Sequence, residues 1–469
     1  MTAADLDMRE TLASAQPIAE NRTLRGIHRS RLVRIMVYVA LILADIIVIG
    51  LTPFTLATLL SDGLRPEDAI LTVLTMPVFV IVTFYTRSYT FPAMHSLQAA
   101  GMRVVHAWLV TLAIVLLIVF SSKQSEAFSR SIFLLSACVA LPIMIWIRIA
   151  AVRFVRSRLS RQFVCGLFIE DDVIAEVPAL FDGVRADSFG LKPDAYDPIS
   201  LHNFSCLSAA YDNVIVACPA DRRQQWALYL QAVGCNGELL IPELAGLAVS
   251  KGLARHNVPT VQVSVGKLDL FNRMLKRMLD LAITVPLVVI LSPVMLAVAV
   301  AIRMDSRGPV LFRQQRMGRS NRLFDVMKFR SMRHEKADRA GDRSASRGDD
   351  RITRVGRLIR ATSIDELPQL FNVLRGDMAL VGPRPHALGS RAGEDLFWHV
   401  DHRYWLRHSI KPGITGLAQV RGYRGATDHR EDLSNRLRSD LEYVAEWSIF
   451  RDLLILIRTT GVVIHNKAY

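Results

Sequence analysis

Cysteine is scarce in this sequence. The 469 residues hold five, Cys138, Cys165, Cys206, Cys218 and Cys235, with no CxxC pair among them and none in the part of the chain that follows. That spacing offers neither a disulfide framework nor a clustered zinc site, and the thiols read as buried residues of a reducing compartment. No GxGxxG follows a strand-like run, so a dinucleotide site lacks its phosphate-binding turn. The first 26 residues lack the apolar core of a cleavable signal peptide. Acidic residues are also in deficit: 43 face 57 lysines and arginines, a formal charge of +14. Such a surplus suits nucleic acid, an anionic membrane surface or phosphorylated substrates, and apolar runs beside the arginines favour the last two, with no nucleic acid partner.

Apolar residues, by contrast, make up 51% of the chain, and the length suggests two to four domains, part of them in lipid. Residues 1–26 are polar and predict a disordered cytoplasmic tail. Four apolar stretches, roughly 35–60, 69–85, 105–120 and 132–155, predict an α-helical membrane bundle over 27–160. Arg22, Arg25, Arg29, Arg31 and Arg34 precede it, Arg87 and Arg103 lie at its middle, and Arg153, Arg156, Arg158 and Arg161 follow it. By the positive-inside rule both ends are cytoplasmic. Short β runs at 163–169, 213–218 and 238–241, with a helical stretch at 221–233, predict a small Rossmann-like α/β module over 161–266. Without the dinucleotide fingerprint it reads as a regulatory or dimerising module, hence an expected homodimer.

Residues 279–302 are again apolar, introduced by Arg273, Lys276 and Arg277 and followed by Arg303, Arg307, Arg313, Arg316 and Arg319. A full crossing would place one basic flank outside, against the positive-inside rule. Ser292-Pro293 near the middle removes a backbone hydrogen bond and predicts a break. The expectation is a re-entrant helix over 273–303, entering and leaving on the cytoplasmic face with its broken backbone satisfied by Ser292 or by packed protein, the alternative being a fifth span kinked at proline. It opens a catalytic domain over 267–469. Two β-like runs, 308–318 and 324–332, carry Lys328 and Arg330 among their cations, in a pattern suited to presenting charge to phosphate. Residues 333–350 read as a mobile loop. Lys411-Pro-Gly-Ile-Thr-Gly416 and Arg421-Gly-Tyr-Arg-Gly425 supply the glycines and cations of anion-binding turns, and 449–464 reads as an interfacial helix with Trp447 and Phe450 at its start.

The chain is organised around ATSIDELPQLFNVLRGDMALVG, residues 361–382. Asp365 and Glu366 head a run whose apolar positions, Leu367, Leu370, Phe371 and Leu374, follow helical spacing. In a first helical turn the free N–H groups and dipole favour carboxylates. Two readings stand there: Ser363 to Glu366 fits a capping box, in which Glu366 only returns a bond to the cap, and the acids equally suit a nucleophile or magnesium ligand flanked by Arg360 and Arg384.

Seven motifs in order, Lys276-Arg277-Met-Leu-Asp280, Ser292-Pro293, Phe329-Arg-Ser-Met332, the stretch Asp350-Arg351 to Arg360, Asp365-Glu-Leu-Pro-Gln369, Val381-Gly-Pro-Arg-Pro385 and Lys411 to Gly416, resemble the bacterial sugar transferases, or monotopic phosphoglycosyl transferases. The resemblance covers about 271–469, and the N-terminal spans with the α/β module resemble the polyprenyl-phosphate hexose-1-phosphate transferase branch. It implies a membrane-embedded α+β catalytic domain in the bacterial inner membrane, facing the cytoplasm. It implies transfer of a hexose-1-phosphate from a UDP-sugar to undecaprenyl phosphate with release of UMP, starting a surface polysaccharide. The acid matching Asp365 would form a covalent phosphosugar, and that matching Glu366 would assist at Mg2+ or in proton transfer. Arg360 and Arg384 would bind phosphate, with Arg351, Lys328, Arg330, Lys411 and Arg421 as further phosphate-binding positions. The C-terminal region resembles glucose-1-phosphate transferases, with galactose the alternative. Rival classes are a processive glycosyltransferase, which would release UDP, and a catalytically silent scaffold.

Overall fold

The computed structural model describes residues 23–60, 63, 65–86, 88–89, 97–122, 129–159, 166–178, 181–194, 197–209, 211–246, 259–268, 270–333, 351–423, 427 and 429–464. The expected tail lies outside them up to residue 22, as does the expected mobile loop from residue 334 to 350. The chain forms two compact units, one over Asn21–Cys165 and one containing Gly166–Tyr469.

Among its described residues the first unit has four helices, α1 (Thr23–Leu60), α2 (Pro66–Tyr85), α3 (Leu97–Ser121) and α4 (Arg130–Arg158). Each holds a segment long and apolar enough to cross a membrane. Small and branched side chains, among them Ala107, Ala137, Ala140 and Val104, let them pack closely around Phe79, Trp108 and Met144. The buried Asp45 takes the Tyr89 hydroxyl at 2.5 Å and pairs with the equally buried Arg148. A charge in such a setting persists only when partnered.

In the second unit, strands β1 (Gly166–Glu170), β2 (Phe181–Arg185), β3 (Asn213–Ala217), β4 (Asn236–Leu240) and β5 (Thr260–Ser264) form one sheet in the order β2-β1-β3-β4-β5. All pairings are parallel except β4 with β5. Every residue of β3 is buried, as expected where helices cover both faces of a parallel strand. Helices α5 (Pro198–Ser208) and α6 (Arg223–Val233) pack beside it, α5 started by Asp197, whose side chain accepts from the Ile199 and Ser200 amides.

Helix α7 (Leu270–Asp305) follows as one continuous element, and it too is apolar enough to cross a membrane. Helical structure runs on through Ser292-Pro293, so the expected break does not divide the element in two. Pro293 has no N–H to give the Val289 carbonyl, and the Ser292 hydroxyl donates to that carbonyl at 2.8 Å in its place. One face of α7 packs Ile283, Leu287, Leu291, Met295 and Ile302 into the unit's cores, while Met278, Val289, Ile290, Leu296 and Met304 are exposed.

Strands β6 (Leu311–Met317) and β7 (Leu323–Phe329) form an antiparallel hairpin, followed by helices α8 (Arg354–Ala361) and α9 (Gln369–Arg375). Asn372 of α9 lies against the outer edge of β7: its amide oxygen accepts from Met327 N–H at 2.9 Å and its amide nitrogen donates to the Asp325 carbonyl at 2.7 Å. Strand β8 (Ala379–Val381) pairs in parallel with β9 (Gly413–Thr415), and α10 (Arg430–Ala445) and α11 (Ile449–Ile464) complete the unit. The hairpin turn docks on the sheet region, where buried Asn321 donates to the Ala232 carbonyl at 2.9 Å and Arg322 to the Ser205 carbonyl at 2.9 Å.

Candidate active site

The acid pair does not lie in the first turn of a helix. Ser363 takes a left-handed conformation (φ 55°) with no side-chain capping bond, Ile364–Glu366 forms a single 3-10 turn, and α9 begins only at Gln369. The capping box is therefore absent, because Pro368, lacking an N–H, is accommodated at the helix start and delays it.

The two acids differ in their surroundings. Glu366 is gripped by two cations: Lys328 of β7 donates at 2.8 Å, and Arg384 donates at 2.6 Å to one oxygen and 3.4 Å to the other. Burial pushes Glu366 up, but the charges of Arg384 and Lys328 and their hydrogen bonds together hold it well below 4.5. Among the described residues no hydrogen bond or ion pair engages the Asp365 carboxylate. Burial raises it above 3.8, Lys328 opposes that, the neighbouring Glu366 adds to it, and Arg360 and Arg384 pull it back. The result is one spent carboxylate and one free carboxylate beside a cationic wall.

Arg384 is held from behind. Its carbonyl accepts from Arg407 at 2.7 Å, and Arg407 is itself fixed by the buried Asp440 at 2.6 and 3.0 Å and by His386 at 2.9 Å. Arg316 of β6 donates to the Pro385 carbonyl at 2.6 Å and to Gln314, and burial together with the Arg384 charge lowers it to about 10. Sequence reading missed Arg316 and Arg407 as members of this assembly. A signal existed for the first, since strand alternation places Gln314 and Arg316 on one face, and the hairpin register puts Lys328 on that same face opposite Phe312.

Other sequence-predicted cations are engaged elsewhere. Arg330 is buried and donates to the carbonyls of Ser306 and Arg307, both at 2.7 Å, closing the C-terminus of α7. Lys276 is buried against Asp452 at 2.6 Å, the Val381 carbonyl at 2.9 Å and the Tyr443 hydroxyl at 3.2 Å, and Arg277 donates to the Val373 and Leu374 carbonyls at the end of α9. Arg421 pairs with Glu442 at 2.6 Å, and the Arg351 side chain is buried ahead of α8. Lys411 lies near Gly376, at the far end of α9 from the acids. The glycines of Lys411 to Gly416 serve the protein's own backbone: Gly413 N–H donates to the Pro383 carbonyl at 3.0 Å, and a Cβ on Gly413 would come within 2.1 Å of the Gly382 nitrogen. No anion-binding turn forms there, because the two motifs occupy each other's backbone groups.

Residues 271–466 match the model of the family described as "Bacterial sugar transferase". An "Undecaprenyl-phosphate glucose phosphotransferase" of Komagataeibacter xylinus is 53% identical over 184 residues, 39% of this chain and 35% of that protein. The "UDP-glucose:undecaprenyl-phosphate glucose-1-phosphate transferase" of Caulobacter vibrioides is 49% identical over 195 residues, 41% of this chain and 72% of that one. The chain belongs to the bacterial sugar transferase family. A third member, "Exopolysaccharide production protein PSS" of Rhizobium leguminosarum bv. phaseoli, is 46% identical over 185 residues, 39% of this chain and 92% of the relative. The matched region thus spans from about a third to nine tenths of these relatives. It holds α7, the hairpin, the acid pair and Arg384, so the family's shared part and the assembled site coincide.

Proposed function

We propose that this sugar transferase moves glucose-1-phosphate from UDP-glucose to undecaprenyl phosphate, releases UMP, and thereby initiates an exopolysaccharide or capsule. The observation that carries the reading is the contrast within the acid pair: Asp365 is free to attack, while Glu366 is already neutralised by Lys328 and Arg384. In the first step an Asp365 oxygen bonds to the sugar-bearing phosphorus as the bridging P–O bond to UMP breaks. In the second, an acceptor phosphate oxygen takes the same phosphorus and frees Asp365. A diphosphate donor and a phosphate acceptor repel one another, and two displacements keep them from meeting. Arg384 and Lys328, with Arg360 on the other flank, supply positive charge where the transferring group gathers negative charge. A carboxylate held as low as Glu366 is no proton donor at neutral pH, which favours a positioning or metal-binding role for it.

An unpaired carboxylate next to a cation-clamped one fits Mg2+, which binds through one or two carboxylates and takes its other positions from water and substrate phosphate. Asp365, with the Glu366 oxygen that Arg384 reaches only at 3.4 Å, would hold it, and when bound it would neutralise diphosphate charge. The names of the relatives support glucose over galactose. A re-entrant α7 is supported by the two ends of the helix, since Lys276 near its start and the Arg330-capped carbonyls at its end both bind the same compact unit, and a cytoplasmic site is supported by the basic residues on both flanks. The Rossmann-like description of the sheet region is supported by its parallel order with the crossover at β1.

The test is incubation with UDP-glucose or UDP-galactose and magnesium, first without acceptor. A hexose-phosphate mass gain on the peptide containing Asp365, followed by UMP release in proportion to lipid product, is expected. UDP among the products, or no adduct on that peptide, would sink the proposal.

A further inference from the structure

A second cationic site lies at the other end of α9. The acid pair precedes that helix, and Gly376 caps its C-terminus, roughly 15 Å further along the axis. There a cleft of about 500 Å³ is lined by Arg277, Arg319, Arg375 and Lys411, together with Met274 and Met278 of α7. Among the described residues the only acid in its lining is Asp280, one of whose carboxylate oxygens accepts from the Leu380 N–H at 2.9 Å. Lys276 also lines it but is spent on Asp452.

Arg277 and Lys411 define its centre. A Cβ placed on Gly376 would lie 3.4 Å from the Lys411 ammonium and 3.8 Å from the Arg277 guanidinium carbon, so two cations converge on one small space. Among the described residues no acid forms an ion pair with either. The Arg277 hydrogen bonds go to the last carbonyls of α9, which offset part of its charge but supply no counter-ion. Gly376 has φ +95°, a conformation that excludes most side chains, and its missing side chain keeps this space open. Burial and the charges of Arg277 and Arg319 lower Lys411, with Asp280 and Asp377 opposing, as befits an ammonium short of counter-charge. The apolar part of the lining continues an exposed apolar helix: Met274 is 45% and Met278 67% exposed, on the face that also presents Val285 and Val289.

We infer that this cleft binds a lipid-borne phosphate, with the phosphate between Lys411 and Arg277 and the acyl or prenyl chain running along Met274 and Met278. Arginine and lysine suit phosphate oxygens, and basic pockets beside membrane helices suit anionic head groups. The inference goes beyond the proposed reaction: it needs α7 in contact with lipid but no chemistry at Asp365. Two lipids carry the required group, an anionic phospholipid and a prenyl phosphate.

The full chain in neutral detergent is titrated with short-chain phosphatidylglycerol, farnesyl phosphate, phosphatidylcholine and inorganic phosphate, and retained molecules are counted by mass spectrometry of the intact complex. One retained phosphatidylglycerol per chain is expected; for farnesyl phosphate, which the acceptor position beside Asp365 also admits, only a copy lost in Lys411→Gln is assigned to the cleft, and the lipid lost in that variant identifies the source. Lys411→Gln should weaken it by about tenfold or more, and Lys411→Arg should restore it. Arg375→Gln, at an exposed position, gives a second reading should Lys411→Gln unfold. Asp365→Asn should leave retention unchanged, which separates this site from the acid pair. Equal retention by wild type and both charge-removing variants, or inorganic phosphate competing as well as the lipids, would overturn the inference.

Discussion

Asp365 and Glu366 are neighbours with opposite relations to the fold, and substitutions should separate them. Glu366 lies below 4.5 in the folded protein, so its stabilisation is complete above 4.5 and is lost only as pH falls through its lower folded value. Glu366→Gln leaves Lys328 and Arg384, 18% and 24% exposed, without a counter-charge and should cost about 1–3 kcal/mol at pH 7, measured by chemical denaturation. Asp365 is raised above 3.8, so the folded state prefers its protonated form, and its contribution declines as pH rises through that raised value. Asp365→Asn should therefore leave stability at pH 7 unchanged or slightly higher, while removing the adduct and lowering transfer by several orders of magnitude. In wild-type enzyme, adduct formation should fall on the acid side through a pKa above 3.8, because only the carboxylate attacks. Turnover by Asp365→Asn within several-fold of wild type would reject the assignment.

At the scale of the element, α7 is fastened to the rest of its unit through buried charge. Lys276, Asp452, Tyr443 and the Val381 carbonyl form one network, and Asp452→Asn should cost about 3–5 kcal/mol by stranding the Lys276 ammonium. A Lys276→Met, Asp452→Leu pair should recover much of that loss, and a double-mutant cycle followed by thermal unfolding would measure the coupling. These attachments show how far sequence reading reached. The apolar run of α7, the strands β3 and β4, the hairpin and the acid pair announce themselves by local pattern. The edge strands did not: β2 reads Phe-Asp-Gly-Val-Arg, with no regular alternation, and β5 is a five-residue run at the sheet's other margin. Nor does any local pattern tell Arg330, which caps α7, from Lys328, which reaches Glu366, since both are cations of one run and only the tertiary path divides them. Arg407 was beyond sequence reasoning for the same reason, because its partners Arg384 and Asp440 are distant in the chain.

For the whole molecule, topology and division into parts are the open tests. Cysteines introduced beside Arg273 and Arg307 should both be labelled from the cytoplasmic side only; labelling of either from the other side would exclude the re-entrant arrangement. A fragment starting near Val265 keeps the acid pair, the hairpin and α7 and should still form the phosphosugar adduct. It should melt earlier than the full chain, since Asn321 loses the Ala232 carbonyl and Arg322 loses Ser205 and water takes their place, at about 0.5–1.5 kcal/mol for each bond lost. Loss of the adduct in a folded fragment would assign the sheet region a direct part in the reaction. Asn372 adds a consequence for colloidal behaviour. A two-stranded ribbon offers its outer margin to any extended chain, and the Asn372 amide occupies one donor and one acceptor there, as a strand from a second molecule would. Asn372→Leu, which fills similar space without those bonds, should lower stability by about 1–3 kcal/mol for each backbone group left unpaired beneath α9, and once that helix lifts the bared margin should show itself as self-association, seen as rising light scattering on heating.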